Sequence, residues 1–598
     1  MKLKLLNNLG IYVLYIVDIN NYIYIEDKSI LNHLNIDKDV TPGEFIDFIH
    51  KFFPEMTDKF SRILRSFERL HMTKANNQRE SNKRYTLCIH PSRVCNLQCR
   101  YCFGHDEYLP SEISLEMAKK AIDFFVFKYG TTGNMYTIDL SGSGEPLLRF
   151  DFIREIDNYC ETLRNRTGKR IIITFVTNAT LITDEIIYFL KNSRYILYGV
   201  SIDGNNAQNS LRVYKNKTPI YNDIIYNINK INNGHLGLAV TITHNNEDVD
   251  IVYSHLIPLE VDAISMHLVR NFGETETSLY KIDIQKLILH YNKLIDLLIQ
   301  NIKKGKYKFV LPLIRGDDML GTYIKKALNK GVIPKYRCDA GKNRLAVDAE
   351  GNLYSCSVLN GNTDFKIGNI FSGINTDAQD KFKKPNIEVN KKCEECWCKN
   401  ICAGECMVNS YINNKSLYEP NEYLCIIRKH LISLAISFVE YIRINYEKAY
   451  IKIKEFTIST ASFFRSESGI WAIKKYLGDK KIDVNYDEID FDVSKINAQY
   501  SCPVSRGIHP ESVLKYLLKY NKNVRAVEVT ENITDEQTKS FPAIAFINKV
   551  NSLLYHYCFI EKIENNLIYF MMLESEKVQV ANLNNFFEYF SDIFIGDF

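Results

Sequence analysis

The chain has 598 residues, too many for one hydrophobic core, and the usual domain size divides it into roughly three to five domains. With 46% apolar, 24% charged and 12% aromatic residues it is an ordinary globular composition, which excludes a disordered chain. The net charge of +4 is spread without a long basic stripe, so nucleic acid is not an expected partner, and the short lysine runs near Lys303 and Lys384 read as solvated faces.

Residues 1–82 open with the apolar runs IYVLYIV and NYIYIE around Asn20-Asn21, a predicted hairpin, followed by helical patterns in FIDFIHKFFPEM and FSRILRSFERL. The first apolar stretch is short, broken by Asp18 and lacks a small-residue cleavage site, so neither a signal peptide nor a membrane span is expected. Fifteen cysteines without a secretory signal point to thiolate ligands in a reducing, cytoplasmic setting. Residues 83–315 alternate β-rich runs (YTLCIHP, YTIDLSG, RIIITFVT, ILYGVSID, LGLAVTITH, AISMHLV) with amphipathic helices. Six such units predict an α/β fold, an open, TIM-like (β/α)6 barrel with functional groups at the C-terminal ends of its strands. Residues 316–435 are cysteine-rich, with turns such as AEGN and LNGN and little helical periodicity before about Leu424, a region expected to need metal to fold. Residues 436–598 return to helix and then strand, a separate α+β module.

Cys95, Cys99 and Cys102 in CNLQCRYC have the spacing that places three thiolates on three irons of a 4Fe-4S cube. The fourth iron is then open to a ligand carrying an amine and a carboxylate. Zinc is the competing reading, but zinc usually takes four ligands and no fourth is adjacent.

This segment resembles the radical S-adenosylmethionine (SAM) superfamily, with Tyr101 before the last cysteine as that family prefers. LSGSGEPLL is similar to the family's Gly-Gly-Glu-Pro element; the resemblance assigns Gly144, Glu145 and Pro146 to holding the SAM amino group, with Ser143 where the first glycine is usual. TNATLITDE resembles Thr-Asn-Gly-Thr, Asn178 matching the asparagine and Ala179 replacing glycine. In VSIDG, Ser201 and Asp203 would lie beside the SAM ribose, and Arg212 matches an arginine that helps hold its carboxylate. Ser201 and Asp203 read equally as caps of a strand-to-loop turn. The implied chemistry is reductive cleavage of SAM to a 5'-deoxyadenosyl radical that abstracts hydrogen from carbon.

Cys338, Gly351 and Cys356, then Cys393, Cys396, Cys402, Cys406 and Cys425, spell C-x12-G-x4-C, C-x2-C-x5-C-x3-C and a final cysteine. The pattern resembles the SPASM domain of radical SAM peptide maturases, which carries two auxiliary 4Fe-4S clusters, three clusters in all. By that resemblance Cys393, Cys396, Cys402 and Cys425 ligate an outer cluster and Cys338, Cys356 and Cys406 an inner one. The inner cluster would have an open iron able to bind a substrate thiolate, with Cys398 as the rival fourth ligand. Cys88, Cys160, Cys502 and Cys558 read as small hydrophobes.

The last 150 or so residues resemble the papain-like peptidases that remove bacteriocin leader sequences. Ser468 occupies their cysteine position, Ser462 stands where a glutamine is expected, His556 matches the histidine and Met572 replaces the orienting aspartate. A Ser468–His556 hydrolase lacks its orienting acid, so a leader-binding module is the preferred expectation over a structural or dimerising appendage. The N-terminal hairpin could also take a leader strand at its edge.

Together these resemblances imply an enzyme that forms thioethers in a ribosomally made, cysteine-rich precursor peptide carrying a leader, fed electrons by a flavodoxin or ferredoxin. Carbon–carbon cross-linking and formylglycine-type oxidation are the alternatives within that architecture. A non-catalytic iron–sulfur protein is the alternative outside it.

Overall fold

The computed structural model describes residues 1–33, 39–58, 60–61, 63–64, 84–102, 112–130, 135–167, 169–193, 195–231, 236–316, 318–331, 333–334, 336–384, 386–460, 467–484, 489, 493, 510–528, 541–546, 557–565, 567–572, 578–583, 586 and 593–597. The chain divides into two units, Met1–Tyr450 and Ile451–Phe598.

The first unit begins with an antiparallel meander of β1 (Leu3–Asn8), β2 (Ile11–Ile16) and β3 (Asn21–Ile25). Leu9 and Gly10, both at positive φ, make the two-residue turn that suits the right-handed strand twist. The predicted hairpin is β2–β3, and β1 is a strand that the apolar runs did not reveal. The helix Pro42–Phe52 packs Phe45, Phe48 and Ile49 into the core under the sheet and starts with a reciprocal capping box between Thr41 and Glu44. The second helical pattern, from Phe60 onward, falls largely outside the described residues.

Six parallel strands follow: β4 (Arg84–Ile89), β5 (Met135–Asp139), β6 (Arg170–Thr177), β7 (Ile196–Ser201), β8 (Gly237–Ile242) and β9 (Ala263–Leu268). They are neighbours in chain order. The helices Leu115–Asp123, Phe150–Thr167, Asp184–Asn192, Tyr221–Ile231 and Val249–Leu256 connect them, which is the expected α/β, (β/α)6 architecture. Runs such as Ile171, Ile172, Ile173 and Phe175 of β6 are buried regardless of which side they face, as helix-covered parallel strands require.

The sheet does not end at β4. In the cysteine-rich region β10 (Arg344–Val347) pairs parallel to β4, and β11 (Asn352–Tyr354), β12 (Lys366–Asn369) and β13 (Gly373–Ile374) continue it antiparallel to a ten-stranded sheet. Contrary to the low helical periodicity expected there, Met319–Leu328 is a helix, capped by the Asp318 side chain and burying Leu320, Tyr323, Ile324 and Leu328. The helix Glu422–Asn445 carries Cys425 and runs unbroken past residue 435.

The second unit is an antiparallel sheet in the order β14 (Arg525–Glu528), β19 (Ile593–Gly596), β15 (Ala543–Phe546), β16 (Tyr557–Glu564), β17 (Leu567–Met572), β18 (Gln579–Asn582). The helices Glu467–Asp479 and Pro510–Leu517 share its core through Trp471, Ile473, Tyr476 and Tyr516. Ser462, Cys502 and His556 lie outside the described residues, as does the side chain of Ser468; Met572 ends β17 opposite Cys558. Among the described residues no helix is long and apolar enough to cross a membrane.

Candidate functional site

Cys95, Cys99 and Cys102 lie on the loop after β4, at the C-terminal end of the parallel strands, where the barrel gathers its loops. Backbone bonds from Gln98 to Val213 (2.9 Å) and from Arg100 to Leu211 (3.0 Å) fix this loop against the segment bearing Arg212. Asn178 Nδ2 donates to Asn96 Oδ1 at 2.9 Å and points toward Cys95 Sγ at 3.9 Å, while Asn96 Nδ2 donates to Thr180 Oγ1 at 2.8 Å. The Leu97 N–H donates to Cys95 Sγ at 3.4 Å. Cys95 and Cys99 each sense the charge of Cys102, so the three thiols stand together. Burial pushes the Cys99 thiol up to about 11, opposed by the Arg212 guanidinium.

The loop after β5 presses against the cysteine loop. Gly142 and Gly144 have positive φ and Ser143 does not, so the serine occupies ordinary backbone and the glycines take the strain. A Cβ on Gly144 would lie 2.3 Å from the Ser92 carbonyl oxygen and 2.7 Å from that of Val94, and the Glu145 N–H donates to the same Val94 carbonyl at 2.9 Å. Pro146 opens the short helix after Glu145. The Glu145 carboxylate accepts from Thr177 Oγ1 (2.6 Å), Asn178 N–H (2.8 Å) and Leu147 N–H (3.1 Å), and burial raises its pKa despite these donors. Ala179 sits at φ 58°, the left-handed region that favours glycine.

Asp203 and Arg212 form one buried ion pair. Arg212 Nε and Nη2 donate to the two carboxylate oxygens at 2.8 and 3.0 Å, with Thr241 N–H (2.9 Å) and the Tyr101 hydroxyl as further donors. The guanidinium lies over the Tyr101 ring, 5.4 Å from its centroid. Ser201 is half-buried at the end of β7, opposite Ala239.

The second cysteine field separates into two neighbourhoods. Cys338 and Cys356 both sense Cys406, and burial pushes Cys356 up to about 11. Cys393 senses Cys402, Cys425 and Cys396. Cys398 joins this second set, not the first: its Sγ is 3.5 Å from that of Cys396, and it senses the charge of Cys402. Two cationic side chains, Arg337 and Arg428, favour the Cys402 thiolate after the Cys398 hydrogen bond does. Arg428 is itself clamped to Glu405, with Nη2 donating at 2.6 Å. Cys160 and Cys558 are fully buried, but Cys88 is no apolar filler: its thiol faces Asp139 at 3.7 Å, where Arg344 of β10 donates to the same oxygen at 2.8 Å.

Sequence reasoning did not find Asn96, Arg344, Glu405 or Arg428. The only signal for any of them was position beside a recognised cysteine or motif.

The donor chemistry fits the groups implied by the family. Three grouped thiols adjoin a glycine-bared backbone and a buried carboxylate. Among the described residues no three His, Cys, Asp or Glu side chains converge as a single ion requires, but a cube takes each thiolate on a different iron.

Residues 89–252 match the radical SAM superfamily. An uncharacterised protein of Methanocaldococcus jannaschii is 28% identical over 310 residues, 51% of this chain and 93% of that protein. A cysteine-type anaerobic sulfatase-maturating enzyme of Clostridium novyi is 25% identical over 358 residues, 55% of this chain and 90% of that enzyme. The solved structure of anSMEcpe with bound AdoMet shares the fold, with a TM-score of 0.51 at 17% identity over 62% of this chain and 98% of that one. The superfamily works with SAM and a 4Fe-4S cluster, and a β4–β9 barrel with a cysteine loop at its strand ends is its architecture. Residues 89–252 are a radical SAM domain, and the chain that carries it is an enzyme.

Proposed function

We propose that the protein is a maturase that installs thioether links between cysteine sulfur and residue carbon in a cysteine-rich precursor peptide. The observation that carries this reading is the division of the second cysteine field into a set around Cys402 and a set of three, Cys338, Cys356 and Cys406. A protein-modifying relative, the sulfatase-maturating enzyme, supports a peptide substrate.

In this reading Cys95, Cys99 and Cys102 hold the SAM-binding cluster, and Glu145 and the backbone at Gly144 take the SAM amino group. Asn178, Ser201 and Asp203 border the nucleoside. Arg212 Nη1, the guanidinium nitrogen not used on Asp203, is the edge that would face the SAM carboxylate. Tyr101 backs the pair. When bound, SAM and its cluster supply a 5'-deoxyadenosyl radical that abstracts hydrogen from carbon. Cys393, Cys396, Cys402 and Cys425 would hold an outer cluster, and Cys338, Cys356 and Cys406 an inner one that would be open to a peptide thiol, which would bind as the thiolate after releasing its proton. Domains at 1–82, 83–315, 316–435 and 436–598 divide the labour, the last as a leader-binding relic of a peptidase. The setting is the reducing cytoplasm, with flavodoxin or ferredoxin as reductant.

Coexpression with a cysteine-rich precursor followed by mass spectrometry tests this. Each thioether removes two hydrogens and makes one cysteine unavailable to alkylation. A product that has lost hydrogens while every cysteine still alkylates would replace thioether formation with carbon–carbon cross-linking, the second reading. Failure to form 5'-deoxyadenosine from SAM and reductant would remove the radical assignment altogether.

A further inference from the structure

The outer cysteine set contains five thiols, one more than a 4Fe-4S cube has irons to bind. Cys393, Cys396, Cys402 and Cys425 satisfy the cube. Cys398 stands behind them, 2% exposed, with Sγ 3.5 Å from Cys396 Sγ. Its backbone is committed as well, because its carbonyl accepts from Ile401 N–H at 3.1 Å and Cys402 N–H at 2.8 Å in the turn that delivers Cys402. The next residue toward the N-terminus, Trp397, packs edge-on against Tyr15 of β2 at 6.0 Å. This side of the thiol is closed by the N-terminal sheet. With Cys396 bound to iron as a thiolate, a buried thiol touching its sulfur is the partner left to donate the S–H.

We propose that Cys398 is a non-ligating thiol that donates its S–H to the sulfur of Cys396 and thereby raises the reduction potential of the outer cluster. The inference rests on the outer set holding a cluster, as put forward above. Its physical basis is that reduction adds negative charge, part of which resides on the ligand sulfurs. A donor aimed at those sulfurs stabilises the reduced form more than the oxidised one. Electrons arriving at the outer cluster are then held there more firmly than four thiolates alone would allow. No ligand is exchanged and no bond to iron changes; only the potential moves.

The test uses the full-length chain, reconstituted anaerobically, with Cys95, Cys99 and Cys102 all replaced by Ala so that only auxiliary clusters report. The outer signal is identified as the one that replacing Cys393, Cys402 and Cys425 together by Ala removes from the electron paramagnetic resonance spectrum. In that background Cys398→Ala should leave iron and sulfide content unchanged and shift the midpoint of the outer signal to more negative potential. Cys398→Ser keeps a donor and should bring the midpoint back toward that of the parent, whereas a merely structural thiol would leave all three midpoints alike. Loss of four irons in Cys398→Ala overturns the inference by making Cys398 a ligand, and an unmoved midpoint overturns it by making the thiol a space filler. If replacing Cys393, Cys402 and Cys425 together removes no signal and no iron, there is no outer cluster. That outcome rejects the underlying reading together with the inference.

Discussion

Replacing Asp203 with Asn should destabilise the barrel-bearing unit by about 3–5 kcal/mol, the usual consequence of stripping a buried ion of its partner. Asp203 is 1% and Arg212 7% exposed, so neither charge can turn to water. At the observed 2.8–3.0 Å the gross attraction is about 5–6 kcal/mol with an effective dielectric near 20. Much of that is offset by desolvation while the pair is intact, but the desolvation of Arg212 remains when its partner is neutralised. In either orientation the Asn amide NH2 meets Arg212, joined by Thr241 N–H at one oxygen position or by the Tyr101 hydroxyl at the other, donors that it cannot serve. The double replacement Asp203→Leu with Arg212→Met should cost much less than the two single changes added, because both desolvation terms vanish together. Urea unfolding is readable by fluorescence, since the two tryptophans, Trp397 and Trp471, divide one to each unit and Trp471→Phe isolates the first. An Asp203→Asn loss below about 1 kcal/mol, or a double variant as unstable as the singles summed, would refute the claim that this pair is a mutually dependent buried unit.

Glu145→Gln should weaken SAM binding about ten- to a hundredfold, the value of one hydrogen bond to a charged group, measured by equilibrium binding to the reconstituted protein; unchanged affinity would free Glu145 of that role. Gly144→Ala should lose at least about 2 kcal/mol and shed iron from the triad, because its Cβ has no space beside the Ser92 and Val94 carbonyls and its φ of 76° disfavours a side chain. Normal iron content and stability in that variant would mean that the two loops are not interlocked. His90 is buried, and burial, then Arg93, lowers its pKa from 6.5 to about 4 while Asp139 opposes the shift. The fold therefore prefers the neutral ring: stability is complete above pH 6.5 and declines as pH falls from there to about 4, by up to about 3 kcal/mol. His90→Gln should flatten that share of the decline, and parallel pH profiles for parent and variant would contradict it.

Much of the barrel was legible because its strands are long β-branched runs spaced by amphipathic helices, a local signal. The cysteine loop, the glycines near Glu145 and the two-part cysteine field announced themselves by spacing. What escaped was non-local. β10–β13 are two to four residues each, and the parallel pairing of β10 with β4 joins residues more than 250 positions apart, which no local period encodes. Asp203 and Arg212 were both singled out, but as separate SAM contacts; that they share one ion pair depends on the loop at 211–213 lying against 98–100. Cys398 was weighed as a ligand of the inner set, yet the tight turn at 398–402 keeps it with its chain neighbours Cys396 and Cys402.

The insertion of β10 beside β4 carries a consequence for how a substrate must behave. The loop of Cys95 leaves the end of β4, and Cys356 follows β11, the strand paired with β10. The register that joins Thr86 to Arg344 and Ile89 to Val347 makes these two places points on one continuous ladder. Hydrogen-bonded strands, not a flexible linker, set the span between the end bearing Cys95 and the second cysteine field. In the reading proposed above, a precursor that reached both would have to supply the bend itself.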